Sequence, residues 1–222
     1  MTAEPHLVAQ ATDHLLRTAY AMREGDQHEP SLCAGWTRGH VLTHLARNAD
    51  GLTRLVRAAV DGTGETMYAS TAAREADIDA GAARPLAEIV ADLEATAEAL
   101  APQLARLTPE QASVRVERTP GGVTFTARHL PFMRLREVSY HHVDLDAGFT
   151  FADLSPSLVT TFLTDEVRRL REAPLAPEIE LSTDEGDLFE LPGHTAYVSG
   201  SRAALLGWLA RGLSAGVRCD GP

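Results

Sequence analysis

Residues 37–60 hold the feature that most limits how this chain can fold. Val41, Leu45, Leu52, Leu55, Val56 and Ala59 recur at the spacing of one helical face. Thr37 is placed to cap the first turn. A helix with such a stripe must bury it against other helices. The flanking segments offer the partners. Leu7, Val8, Ala11, Leu15, Thr18 and Met22 repeat helically over residues 4–24, and Pro85 opens a third helix with Leu86, Ile89, Val90, Leu93, Leu100 and Leu104. A fourth starts between Thr126 and Pro131 and ends near Gly148. Residues 61–83 carry no stripe and predict a loop with one helical turn at most. "SVRVERTPGGVTFTA" alternates around Gly121-Gly122 as a short hairpin.

The pattern changes after residue 150. A helix over 156–172 is followed by "APLAPEIELST", "GDLFELPG" and "HTAYVSG", which read as strands. "SRAALLGWLARG" then gives a terminal helix with Ser201 as N-cap and Gly212 as C-cap. The expected class is therefore α+β: a four-helix bundle over 1–150 and a small α/β domain over 151–222.

Composition narrows the function. The net charge of −11 disfavours nucleic acid and anionic membrane as partners. No apolar run approaches the roughly 20 residues that span a bilayer, and the N-terminal residues lack signal-peptide character. A cytoplasmic monomer is expected. All 20 basic residues are arginine, which excludes Schiff-base chemistry on lysine. Cys33 and Cys219 are too few for a disulfide framework or a thiolate metal site.

Two stretches carry chemistry. In "RLREVSYHHVDLDAGF", Glu137 and His141 lie four apart, about 40° from each other around a helix. Asp144 returns to within about 20° of Glu137, whereas His142 points about 140° away. In "GWTRGHVLTHLARN", His44 sits nearer the apolar stripe than His40. If the second and fourth helices face each other, His44, Glu137 and His141 converge. Two imidazoles and a carboxylate suit a divalent metal, most often zinc when coordination positions stay open. Taken singly, an E-x-x-x-H pair is more often a solvated pair and a lone histidine a hydrogen-bonded core residue. Asp144 is a candidate for orienting an imidazole from behind, or a solvated acid.

These stretches, together with "MYASTAAREADIDAGAAR" and "VSGSRAALLGWLARG", resemble the mycothiol-dependent maleylpyruvate isomerases, of the DinB-like metal-binding bundles. The resemblance implies zinc on His44, Glu137 and His141, and mycothiol as an external thiol. It implies cis–trans isomerisation of maleylpyruvate to fumarylpyruvate in the gentisate route of aromatic degradation. It also implies a functional arginine in the C-terminal domain, at Arg211 or Arg202. Neither cysteine is expected near the chemistry, since Cys33 precedes the metal helix and Cys219 lies near the C-terminus. A dicarboxylate substrate calls for guanidinium groups; Arg74, Arg84 and Arg202 are candidates, each otherwise a surface charge. Trp36 and Tyr68 would line the pocket or simply pack. The alternatives are a thiol S-transferase on the same scaffold and a non-catalytic protein that binds a metal or small thiol.

Overall fold

The computed structural model of the chain describes residues 5–174, 177–191 and 196–220. It divides into two compact units, Met1–Gly148 and Phe149–Pro222. The first unit contains helices α1 (Pro5–Ala21), α2 (Arg38–Asp61), α3 (Thr71–Ala82), α4 (Leu86–Leu104) and α5 (Leu130–Asp144). Strands β1 (Arg115–Glu117) and β2 (Thr124–Thr126) form an antiparallel hairpin between α4 and α5, with Val116 opposite Phe125.

Helix α2 is the axis of this unit. Thr37 caps it by accepting from the His40 backbone N–H, and Gly62 ends it in the left-handed region at φ 66°. It packs against α3, α4 and α5. Val41, Leu42 and Leu45 meet Leu15 of α1, Ile89 and Leu93 of α4, and Val138 of α5 in one core. Burying a leucine-sized side chain contributes about 2 kcal/mol, so this seam fixes how α2 and α5 face each other.

Helix α3 corrects the sequence expectation of a loop over residues 61–83. Its alanines, Arg74 and Glu75 are strong helix formers, and Ser70 caps it by accepting from Ala73 N–H at 3.0 Å. Only Ile78, Gly81 and Ala82 are buried. No apolar stripe announces such a helix. Its docking instead depends on small residues: a Cβ on Gly81 would lie 2.3 Å from Thr43 Cγ2, and one on Gly39 would lie 3.0 Å from Ala82 O. The two helices approach through those glycines, and α3 thereby carries Arg74.

The second unit contains α6 (Pro156–Glu172), α7 (Arg202–Arg211) and a four-stranded sheet ordered β4-β3-β5-β6. Strands β3 (Ile179–Thr183) and β5 (Ala196–Gly200) are parallel; β4 (Leu188–Glu190) and β6 (Arg218–Asp220) flank them antiparallel. Ser201 and Gly212 cap α7. Leu181, Val198, Leu205, Leu206 and Phe162 are buried. All three of the expected strand segments run into residues 175–176 or 192–195, outside the described residues. Strand β6 went unanticipated because Arg218, Cys219 and Asp220 are all exposed and show no alternation. Among the described residues no helix is long and apolar enough to cross a membrane.

Candidate metal centre

Helices α2 and α5 present three side chains to one point. His44 Nε2 lies 2.8 Å from Glu137 Oε2, and His141 Nε2 lies 3.4 Å from the same oxygen. The two imidazoles meet edge to face at 4.7 Å between centroids. One nitrogen or oxygen from each of His44, Glu137 and His141 falls within 4.8 Å of the others. That spacing fits a divalent ion held by two nitrogens and an oxygen, so the donor set present suits the metal that the sequence implies.

The neighbouring histidines His40 and His142 have other work. His40 closes the start of α2, its Nδ1 accepting from Thr37 N–H at 3.2 Å. His142 is buried toward α1, with Nε2 2.7 Å from Thr18 Oγ1.

Behind His141 the wheel geometry gains a third dimension. Asp144, fully buried, sits 2.7 Å from His141 Nδ1. It can hold that nitrogen's proton and leave Nε2 aimed at Glu137. Cys33 corrects the expectation that neither cysteine lies near the chemistry. Its Sγ donates to Asp144 Oδ2 at 3.3 Å and lies 3.9 Å from His141 Nδ1. The chain between α1 and α2 folds back here, Leu32 N–H donating to Asp144 O at 2.9 Å. Sequence distance concealed this contact. Cys33 nevertheless meets His141 on Nδ1, the nitrogen that faces away from the triad. Cys219 is exposed on β6 in the second unit.

Electrostatics follow from burial and these bonds. Burial pushes the Glu137 carboxyl up, but hydrogen bonds from His141 and His44 outweigh it and hold the group well below the ordinary carboxylate range. Burial lowers His44, against the pull of Glu137. Burial also lowers His141, yet hydrogen bonding to Asp144, Cys33 and Glu137 carries it well above the ordinary imidazole value. A raised imidazole stabilises the metal-free fold below the unfolded value, and that contribution fades as pH rises through the folded one. A ligand nitrogen must be free of its proton. Metal binding near pH 6.5, the ordinary imidazole value, should therefore release close to one proton. Affinity should climb with pH until His141 is neutral. Calorimetry in two buffers of different ionisation enthalpy measures this; binding without proton release would contradict it.

The triad opens into a cavity of about 320 Å³ that Trp36, Asn48, Met67, Tyr68, Arg74, Arg118 and Met133 also line. Arg74 Nη2 donates to His44 Nδ1 at 3.0 Å. Its guanidinium is held over Trp36 at 5.8 Å and Tyr68 at 5.7 Å, both within cation–π range. Arg118, which the sequence did not single out, enters from the end of the hairpin. Arg84 is instead paired with Asp92 at 2.6 Å. In the second unit Arg202 is clasped by Asp187, and Arg211 Nη1 donates to Ala210 O at 2.7 Å.

The family profile described as the mycothiol maleylpyruvate isomerase N-terminal domain matches residues 8–146. The chain belongs to that family. A solved structure of the mycothiol-dependent maleylpyruvate isomerase superposes with a TM-score of 0.88 at 27% identity, covering 97% of this chain and 91% of that one. A mutant of that isomerase superposes equally well, with a TM-score of 0.88 at 26% identity over the same shares of each chain. No curated protein sequence matches significantly. The fold is α+β throughout this family likeness, with the helical region first and the small sheet region after it.

Proposed function

We propose that this chain is a metal-dependent, mycothiol-dependent cis–trans isomerase of maleylpyruvate, serving the gentisate route of aromatic degradation. The observation that carries the reading is the convergence of His44, Glu137 and His141 beneath two guanidinium groups in one cavity. It is the pairing that a thiol-assisted reaction on a dicarboxylate needs. The thiolate sulfur bonds to the alkene carbon β to the ketone, and the π pair moves to the ketone oxygen as an enolate. The former double bond is now single and rotates. Collapse of the enolate expels the thiolate and restores the alkene as the trans isomer, with no net oxidation and no proton consumed.

His44, Glu137 and His141 would hold the ion, and Asp144 would orient His141. A bound divalent metal, zinc in this reading, lowers the pKa of a thiol and polarises a keto oxygen. When His44 Nε2 serves as a ligand, its proton resides on Nδ1. Arg74 Nη2 is also a donor, so it turns from Nδ1 toward the cavity. There Arg74 and Arg118 take the substrate carboxylates, which a planar guanidinium matches in a bidentate fork. Trp36 and Tyr68 keep the Arg74 stem from wandering. Arg84, already neutralised by Asp92, has no such part.

The test is turnover of maleylpyruvate by metal-loaded protein with and without mycothiol. Activity only with thiol is expected; its absence in both would overturn the reading. The double variant Cys33→Ser/Cys219→Ser should keep its mycothiol-dependent kcat within about threefold. Cys33 meets only the Nδ1 side of His141, and Cys219 lies in the other unit. A folded, metal-loaded but inactive double variant would move the nucleophile onto the protein.

A further inference from the structure

Asn48 lies one helical turn beyond His44 on α2, so both side chains leave the same face. It is 2% exposed and lines the cavity above the triad. Its amide is locked. Arg134, fully buried on α5, donates from Nη1 to Asn48 Oδ1 at 2.9 Å and to Leu45 O at 2.7 Å. A guanidinium has only donors, so the amide cannot turn over without setting donor against donor. The asparagine oxygen is fixed inward, and Nδ2 donates to no protein atom among the described residues. An amide donor so oriented beside a reacting centre costs no reorganisation when charge develops on a substrate oxygen.

We propose that Asn48 is a catalytic residue whose Nδ2 donates to the enolate oxygen formed on thiolate addition, with Arg134 as the positioning residue that aims it. The role deepens the isomerase reading and rests on it. Charge moves onto that oxygen as the carbon–sulfur bond forms and leaves it as the bond breaks. The donor thus acts most strongly between the two steps, and its loss falls on kcat.

Asn48→Asp is the informative variant. It keeps an oxygen for Arg134 and removes the donor. Its kcat for maleylpyruvate with saturating mycothiol should fall roughly a hundredfold, with KM within about threefold, metal content unchanged and Tm not lowered. Asn48→Leu removes the donor without adding charge. It should show the same fall in kcat, with a lower Tm because Arg134 loses one of its two acceptors. Either variant retaining kcat within about threefold, or losing only KM, would overturn the proposal. An Asn48→Asp protein that loses its metal would also count against it, by making the residue a support for the ion. An inactive parent protein would overturn the isomerase reading and this role together; an active parent with unaffected variants would overturn this role alone.

Discussion

His44→Ala should empty the metal site, leaving far less than one ion per chain by elemental analysis, and isomerase activity should fall to background. The reasoning is geometric. Of the three candidate ligands only His44 comes from α2, facing Glu137 and His141 on α5. Two ligands four residues apart on one helix hold a divalent ion much less firmly than three from two helices. His142→Ala is the matched control. That imidazole is just as deeply buried, but its Nε2 meets Thr18 Oγ1 on the α1 side. Its removal should cost about 1–3 kcal/mol of stability, seen as a lower Tm, and leave metal content near one per chain. The opposite pattern, with metal lost from His142→Ala and kept by His44→Ala, would refute the assignment of faces.

Arg74→Met is expected to cost roughly a hundredfold or more in kcat/KM for maleylpyruvate while the protein stays metal-loaded. Methionine can occupy the apolar stem's place between Trp36 and Tyr68 but offers no donor. The guanidinium contributes a few kcal/mol when it forks a carboxylate in a closed cavity. Arg84→Met should differ by much less, because Asp92 already occupies that guanidinium at 2.6 Å. Steady-state kinetics of the two variants, with metal content measured alongside, separates a substrate clamp from a general effect of positive charge. Near-normal kcat/KM in Arg74→Met would remove the residue from the site.

The sequence made the triad legible because helical spacing is itself geometry. Glu137 and His141 share a face at any i,i+4 pair, and His44 had to lean toward the stripe that packs on α5. Helix caps were equally readable: Thr37, Ser201 and Gly212 are where short-range rules put them. Helix α3 was not, because it docks through glycines and alanines whose contacts have no hydrophobic period. Cys33 escaped for another reason. The backbone between α1 and α2 reverses and brings it within 3.3 Å of a residue 111 positions later, a distance no local pattern encodes. Asn48 stood in plain view in "HLARN", but its orientation depends on Arg134, which the sequence presents as one more arginine among 20.

One side of the cavity wall is anchored apart from the triad. Met67 N–H donates to Glu117 O at 3.0 Å and Tyr68 N–H to Arg118 O at 2.9 Å, so this short stretch lies along β1 like an extra ribbon. Arg118 N–H in turn donates to Val123 O at 2.9 Å, where the chain returns. Tyr68 and Arg118 are thus fastened to each other, while His44, Glu137 and His141 hang from α2 and α5. Insertions or exchanges in the exposed turn at 119–122 can reshape what the cavity admits without disturbing the imidazoles and carboxylate. A lineage built this way can drift toward new electrophiles while inheriting its thiol chemistry intact, as a tool keeps its handle through changes of blade.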